Sequence, residues 1–131
     1  MRLLLDTHIA LWAVADDSRL SPAASELIAD PANEVFVSAA SLWEIAIKRA
    51  LARGTANDMP VSAREALGYF RDAGYALLDI ASAHTVAVER LPMLHADPFD
   101  RILVAQALTV PLRLLTHDAR VARYSDTVIV V

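Results

Sequence analysis

Short apolar runs alternate with segments of helical period along this chain. Arg2–Leu5 reads as a first strand, and Thr7–Ala15, with Leu11 and Trp12 on an apolar face, as the helix after it. Ser21-Pro22 has the form of an N-cap with proline at the first helical position, opening a short helix through Ala29 that Asp30-Pro31 closes. Val35–Val37 is a second strand. Ala39–Arg53 is helical by period, with Leu42, Ile45 and Ala46 on an apolar face and Arg49 on a cationic one, until Gly54 ends it. Met59-Pro60-Val61-Ser62 starts another helix, through about Ala73, and Gly74 stops it. Tyr75–Ile80 supplies a third strand and Ser82–Arg90 a short helix. Pro98 opens a helix over Phe99–Leu108, and Leu112–Leu115 and Thr127–Val131 are the fourth and fifth strands. Apolar strands separated by helices form a parallel sheet covered on both faces. The expected fold is therefore α/β, a three-layer α/β/α sandwich around a mostly parallel sheet of four to five strands.

Composition narrows the class. The 131 residues fit one domain, 1–131, with no repeat, low-complexity tract or linker. Apolar residues make up 56% and only three are Gly, which leaves apolar surface for partners, so an oligomer or a protein complex is expected. The absence of Cys excludes disulfides, thiolate metal sites and cysteine nucleophiles, and suits a reducing compartment. Met1–Asp6 is too short for a signal-peptide core, and no run approaches the roughly 18 apolar residues of a membrane span, so a cytoplasmic protein without membrane contact is expected. A net charge of −4 argues against nucleic-acid binding only if it is evenly spread. Acids gathered at a metal site would distort that count.

Four acids stand where apolar runs end or where the next helix begins: Asp6, Glu44, Asp100 and Asp118. In a parallel α/β sheet the carboxyl ends of the strands share one edge, where distant residues meet in a crevice. Each acid also has a plain explanation. Asp6, or Thr7 in its place, suits a helix N-cap. Ser41-Leu42-Trp43-Glu44 fits a capping box, which alone makes Glu44 a structural acid. In Asp97-Pro98-Phe99-Asp100, Asp97 suits the cap, Pro98 the first turn and Asp100 the helix dipole. Asp118, after Thr116-His117, suits a turn. Capping does not explain an acid at the edge of every strand expected to be central. Four carboxylates in one crevice repel and are desolvated unless a cation joins them, and an oxygen donor set selects hard Mg²⁺ or Mn²⁺. His8, His95 and His117 each lie near an acid and raise a zinc alternative, but neighbouring strand residues point to opposite faces. His84 is isolated and reads as a surface imidazole.

At these positions the sequence resembles a PIN-domain ribonuclease, and more narrowly the VapC toxins of bacterial toxin–antitoxin pairs. The resemblance rests on Leu3-Leu4-Leu5-Asp6-Thr7-His8, Val37-Ser38-Ala39-Ala40-Ser41-Leu42-Trp43-Glu44, His95-Ala96-Asp97-Pro98-Phe99-Asp100-Arg101 and Leu114-Leu115-Thr116-His117-Asp118, with Gln106-Ala107 completing the third. It covers essentially the whole chain in order, without departure at the acids. It implies an acidic quartet at Asp6, Glu44, Asp100 and Asp118, and a small hydroxyl at Thr116. It further implies cleavage of RNA to a 5′-phosphate and a 3′-hydroxyl, a cognate VapB-like antitoxin, and a homodimer.

The expected chemistry is hydrolysis of a phosphodiester with one or two Mg²⁺ or Mn²⁺ ions held by Asp6 and Asp100, with Asp118 and Glu44 completing the site and no covalent intermediate. Thr7, Thr116, Asp97 and Arg101 are the expected supporting or substrate residues. Thr116 is either a partner to a carboxylate or phosphate or simply a β-branched strand end, and Asp97 either supports a ligand or only caps the helix. Lys48, Arg49, Arg53, Arg101, Arg113, Arg120 and Arg123 are candidate cations for RNA, single-stranded or structured, such as tRNA. Leu42, Trp43, Ala46 and Trp12, with Tyr69 or Phe70, are expected to be mostly core.

Two other classes fit less well. A haloacid-dehalogenase-like phosphatase needs a second Asp where His8 stands, and a receiver module needs a Lys after a late strand, whereas the only Lys is Lys48. A degenerate PIN fold acting as a scaffold predicts lost acids, and all four are present.

Overall fold

The computed structural model describes residues 1–131. Its strands are β1 (Arg2–Leu5), β2 (Glu34–Ser38), β3 (Ala76–Leu78), β4 (Arg113–Thr116) and β5 (Ile129–Val130). The helices are α1 (Thr7–Val14), α2 (Pro22–Ala29), α3 (Ala39–Ala50), α4 (Ala63–Asp72), α5 (Ser82–Val88) and α6 (Pro98–Thr109). One sheet holds all five strands in the order β3-β2-β1-β4-β5, every neighbouring pair parallel. The chain thus forms an α/β sandwich with β1 at the centre. Leu3 and Leu5 point into one apolar cluster with Ile9, Ala24, Ile45 and Phe70, while Leu4 points into the other with Leu103, Val104 and Leu114. Alternation along β1 therefore requires helices on both faces.

The strand order reverses between β1 and β4: the chain steps outward from β1 to β2 and β3, then returns to place β4 on the other side. Ligands of open α/β sheets bind outside the carboxyl ends of the strands at such a point. Here those ends carry Asp6 after β1 and Thr116-His117-Asp118 after β4.

Element ends differ from the sequence expectation for identifiable reasons. The helix expected to reach Arg53 stops at Ala50, because the Asp58 carboxylate captures the backbone N–H groups of Arg53, Gly54 and Thr55. The helix expected from Met59 begins after Ser62, which forms a capping box with Glu65. Gly74, at φ +81°, turns the chain out of α4, a backbone conformation that costs glycine nothing. The third and fifth strands shorten to three and two residues because both are edges, paired on one side only. A 3₁₀ turn at Val121–Tyr124, absent from the expectation, buries Val121 under β4.

Gln106, wholly buried on α6, ties the layers together. It accepts from the Ser38 hydroxyl at 2.6 Å and directs its amide toward Asp79 O and His84 Nδ1. No buried side-chain polar atom lacks a partner. His84 is therefore part of the interior, contrary to the surface imidazole expected; its Nδ1 also accepts the Ala81 N–H. No helix is long and apolar enough to cross a membrane.

Leu4→Ala should lower the unfolding free energy by about 2–5 kcal/mol in urea titrations, because the cavity would open inside a sheet that cannot collapse around it. Leu108→Ala, on the exposed side of α6, should change it by less than about 0.5 kcal/mol.

Candidate active site

Asp6 ends β1 and caps α1 at once. Its backbone N–H donates to Leu115 O, which fixes the end of β1 against β4. Its Oδ1 accepts the Ile9 N–H at 2.9 Å, and its Oδ2 accepts the Thr116 hydroxyl across from β4. His117 Nδ1 stands 3.8 Å from the same oxygen. Only 5% of the residue is exposed. Burial raises its pKa above the ordinary carboxylate value, against the Thr116 and Ile9 hydrogen bonds that lower it.

Asp100 lies in the first turn of α6, where the helix dipole favours a carboxylate. Its Oδ2 is 2.8 Å from His95 Nε2. Burial raises its pKa; His95 opposes that shift, and the charges of Asp97 and Asp6 add to it. The Asp6 charge thus reaches Asp100, although 94 positions separate them in the sequence. Asp97 is the N-cap of α6, its Oδ1 accepting from the Phe99 and Asp100 N–H groups at 2.8 and 3.3 Å. His95, Asp97 and Asp100 bring one ligand atom each within 4.8 Å of one another.

Glu44 reaches the crevice from α3. Ser38, not Ser41, caps that helix, so Glu44 falls in its second turn and the capping-box explanation fails. The side chain is buried, with Oε1 2.7 Å from the Thr7 hydroxyl and Oε2 2.6 Å from Lys48 Nζ. Thr7 Oγ1 also meets Ser41 Oγ at 2.9 Å, linking α1 to α3.

Asp118 differs from the other three. Arg120, its partner two residues on, holds its carboxyl down to about 2, and both side chains reach solvent. Its backbone N–H donates to Thr116 Oγ1 at 3.1 Å. The Thr116 hydroxyl therefore accepts from the Asp118 backbone while donating to Asp6, joining the two loops with one oxygen.

This donor set suits a hard cation. Carboxylate oxygens dominate, and Asp6 and Asp100 carry raised pKa values, so neutralising them relieves desolvation and repulsion together. The sequence matches the PIN domain family over residues 3–126. The chain belongs to the PIN domain family. Ribonuclease VapC22 of Mycobacterium tuberculosis (strain ATCC 25618 / H37Rv) is 32% identical to it over 118 residues, spanning 90% of this chain and 88% of the relative. Among solved structures, VapBC2 from Rickettsia felis bound to a DNA fragment from their promoter superposes with a TM-score of 0.70 at 18% identity, covering 100% of this chain and 98% of the other. FitAcB from Neisseria gonorrhoeae gives a TM-score of 0.58 at 16% identity, covering 98% and 96%. At those identities the two structures speak for the shared fold.

Several expectations for the PIN domain change in three dimensions. Arg101 does not face the crevice as a cation for substrate. It is buried, with Nη1 donating to Pro92 O at 2.8 Å and Tyr124 Oη at 3.0 Å, and Nη2 directed to Val88 O and Leu91 O. Five directed N–H groups suit a cation that binds carbonyls beneath a loop. Arg49 likewise turns to Met59 O. Trp43, expected in the core, is 59% exposed and packs edge-to-face on Phe99, and Ala46 is exposed as well; of Tyr69 and Phe70, Phe70 is the one buried. The apolar stripe of α3 is narrower than its period suggested, because Glu44 occupies the buried side.

His95, like His117 beside Asp6, stands near an acid where the opposite-faces reading did not place it. It lies in the loop before α6, not in a strand, so the opposite-faces rule did not apply to it. A cap Asp preceded by a short irregular segment lets the loop fold back onto the first turn of the helix, and that was the available signal.

Raised carboxyl pKa values mean that the folded state binds protons more tightly than the unfolded chain. Stability from Asp6 and Asp100 is then full below the unfolded value and falls as pH rises through the folded one. In EDTA at neutral pH, Asp6→Asn and Asp100→Asn should each melt above the parent chain, and the gap should close on acidification below pH about 4. Differential scanning fluorimetry across pH checks both signs.

Proposed function

We propose that this PIN domain is a metal-dependent endoribonuclease of a toxin–antitoxin pair, hydrolysing phosphodiester bonds in single-stranded or structured RNA. The observation that carries the reading is the placement of Asp6 at the strand-order reversal, with Glu44 bonded to the adjacent Thr7 and Asp100 near enough for the Asp6 charge to raise its pKa. The 32% identical ribonuclease VapC22 supports the substrate class. Asp6 and Asp100 would hold Mg²⁺ or Mn²⁺, with Glu44 and Asp118 completing the oxygen set. What a bound cation supplies is Lewis acidity toward water and toward the phosphodiester oxygens.

The chain's own groups do the positioning. Thr116 and the Ile9 N–H fix the Asp6 carboxylate in one orientation, so little is reorganised when a cation arrives. His95 does the same for Asp100, and Thr7 with Lys48 for Glu44. Asp118 stays ionised at any physiological pH beside Arg120, whose 67% exposed side chain is free to exchange its partner for a phosphate. The partners proposed with this activity are RNA, a VapB-like antitoxin that inhibits it, and a second copy of the chain. Trp43, Leu51 and Met93, at 59%, 62% and 79% exposed, offer apolar surface for protein partners.

The deciding experiment is cleavage of total cellular RNA by purified chain with Mg²⁺ or Mn²⁺, with EDTA, and with Asp100→Asn alongside. Cutting should disappear in EDTA and fall by about 100-fold or more in the variant, since even outer partners of metal ligands are worth about 10–100-fold. Activity retained in EDTA, or undiminished in Asp100→Asn, would refute the reading. Thr116→Val, which keeps the shape and removes the hydroxyl, should weaken Mn²⁺ binding by about 10–100-fold in calorimetric titration while the chain remains folded.

A further inference from the structure

Three rings meet beside Asp6. His8 and His117 stand edge to face with centroids 5.4 Å apart, and Trp12 lies 5.8 Å from His8 and 4.9 Å from His117. Both imidazoles are exposed, and Trp12 is half-buried. The position is defined by His117 Nδ1, 3.8 Å from the Asp6 carboxylate. From His8 and Trp12 a groove of 920 Å³ runs between α1 and the α3–α4 connection, past Asn57 and Met59 to Tyr69. None of the four acids lines it. It begins where they end, two residues after Asp6. Arg19 and Lys48 are the cations of its lining, their side chains 67% and 42% exposed and paired with Asp17 and Glu44, and Asp17 and Asp58 line it as acids. The Arg19 guanidinium stands 5.2 Å from the centre of the Trp12 ring, held on one edge by Asp17.

We propose that this aromatic cluster and the mouth of its groove receive an unpaired nucleobase of an RNA strand, next to the bond lying over the acids. The inference rests on the ribonuclease reading and adds to it a base-binding subsite. A base in a single strand offers both π-faces for stacking, which a duplex conceals, and imidazole, indole and guanidinium are the groups that stack with it. The strand also carries a negative charge at every nucleotide. Arg19, whose exposed guanidinium lies against the Trp12 ring, can exchange Asp17 for a phosphate of that strand at the mouth of the groove. Farther along, Leu11, Val14, Leu51, Met59 and Val61 give the groove an aliphatic lining, and the paired imidazoles stand only at its mouth, beside the Asp6 carboxylate. The subsite would select unpaired RNA by the presence of a base, with little choice among the four, because stacking tolerates them all.

The test uses a randomised single-stranded RNA decamer and an abasic ribose-phosphate strand of the same length, in buffer containing Ca²⁺. Trp43→Phe leaves Trp12 as the one tryptophan of the two in the chain. Its emission should be quenched by the decamer and not by the abasic strand. Trp12→Leu should weaken decamer binding by roughly 5- to 100-fold, the range for one stacked base, and leave abasic binding unchanged, while Trp12→Phe restores most of the loss. His117→Ala, at an exposed position, gives an independent loss of decamer affinity that does not depend on how Trp12 variants fold. Equal affinity of the parent chain for the two strands, or unchanged decamer binding in both Trp12→Leu and His117→Ala, would overturn the proposal and leave the groove to a protein segment. Metal-dependent cleavage of total RNA is read in parallel. Cleavage that persists without base-dependent binding removes the subsite alone, and absent cleavage removes the ribonuclease reading.

Discussion

A sheet whose strands all run in one direction places every strand end on the same edge, and this PIN domain is organised by that constraint. Parallel pairing of β1 with β2 and β4 puts Asp6, the N-terminus of α3 and the Thr116–Asp118 loop side by side. Each crossover must return over a face of the sheet, so the helices that carry Glu44 and Asp100 start from the same edge. Topology therefore brings the elements that carry these acids to one edge of the sheet. The apolar layers of Leu3, Leu5 and Phe70 on one face and Leu4, Leu103 and Leu114 on the other hold that geometry.

Convergence of carboxylates is costly, and the surrounding structure offsets part of the cost. Buried Asp6 takes a hydroxyl and a helix N–H, Asp100 an imidazole, and Glu44 a hydroxyl and an ammonium. These partners leave the pKa values of Asp6 and Asp100 raised, so a desolvation debt remains that only a proton or a cation removes. Such a debt is the usual signature of a site arranged for chemistry instead of for stability. Asp118, held ionised by Arg120, is the acid whose pKa is lowered and not raised.

Arg101 shows how a charged residue beside an acid can serve the same site from beneath. Its guanidinium collects the carbonyls of Val88, Leu91 and Pro92 and the hydroxyl of Tyr124, which in turn donates to His95 O. The loop that carries His95 and Asp97 is thereby held against α6. The charge is spent on shape.

The sequence by itself determined the α/β order, the parallel sheet and the N-caps at Ser21 and Asp97, because these depend on local period and on side chains bonding to their own helix start. Proximity of the strand ends followed from topology, so the acids at Asp6, Asp100 and Asp118 were legible as a set. Tertiary structure decided what depends on distant partners. Glu44 became a crevice acid once Ser38 took the cap of α3, and His84 became interior because Gln106, on another helix, needed its nitrogen. Trp43 was left outside, Arg101 turned inward to carbonyls, and His95 was folded onto Asp100. Periodicity records which face of an element is apolar. It does not record which long-range hydrogen bond will claim a polar side chain, and that choice fixed the site's inner contacts.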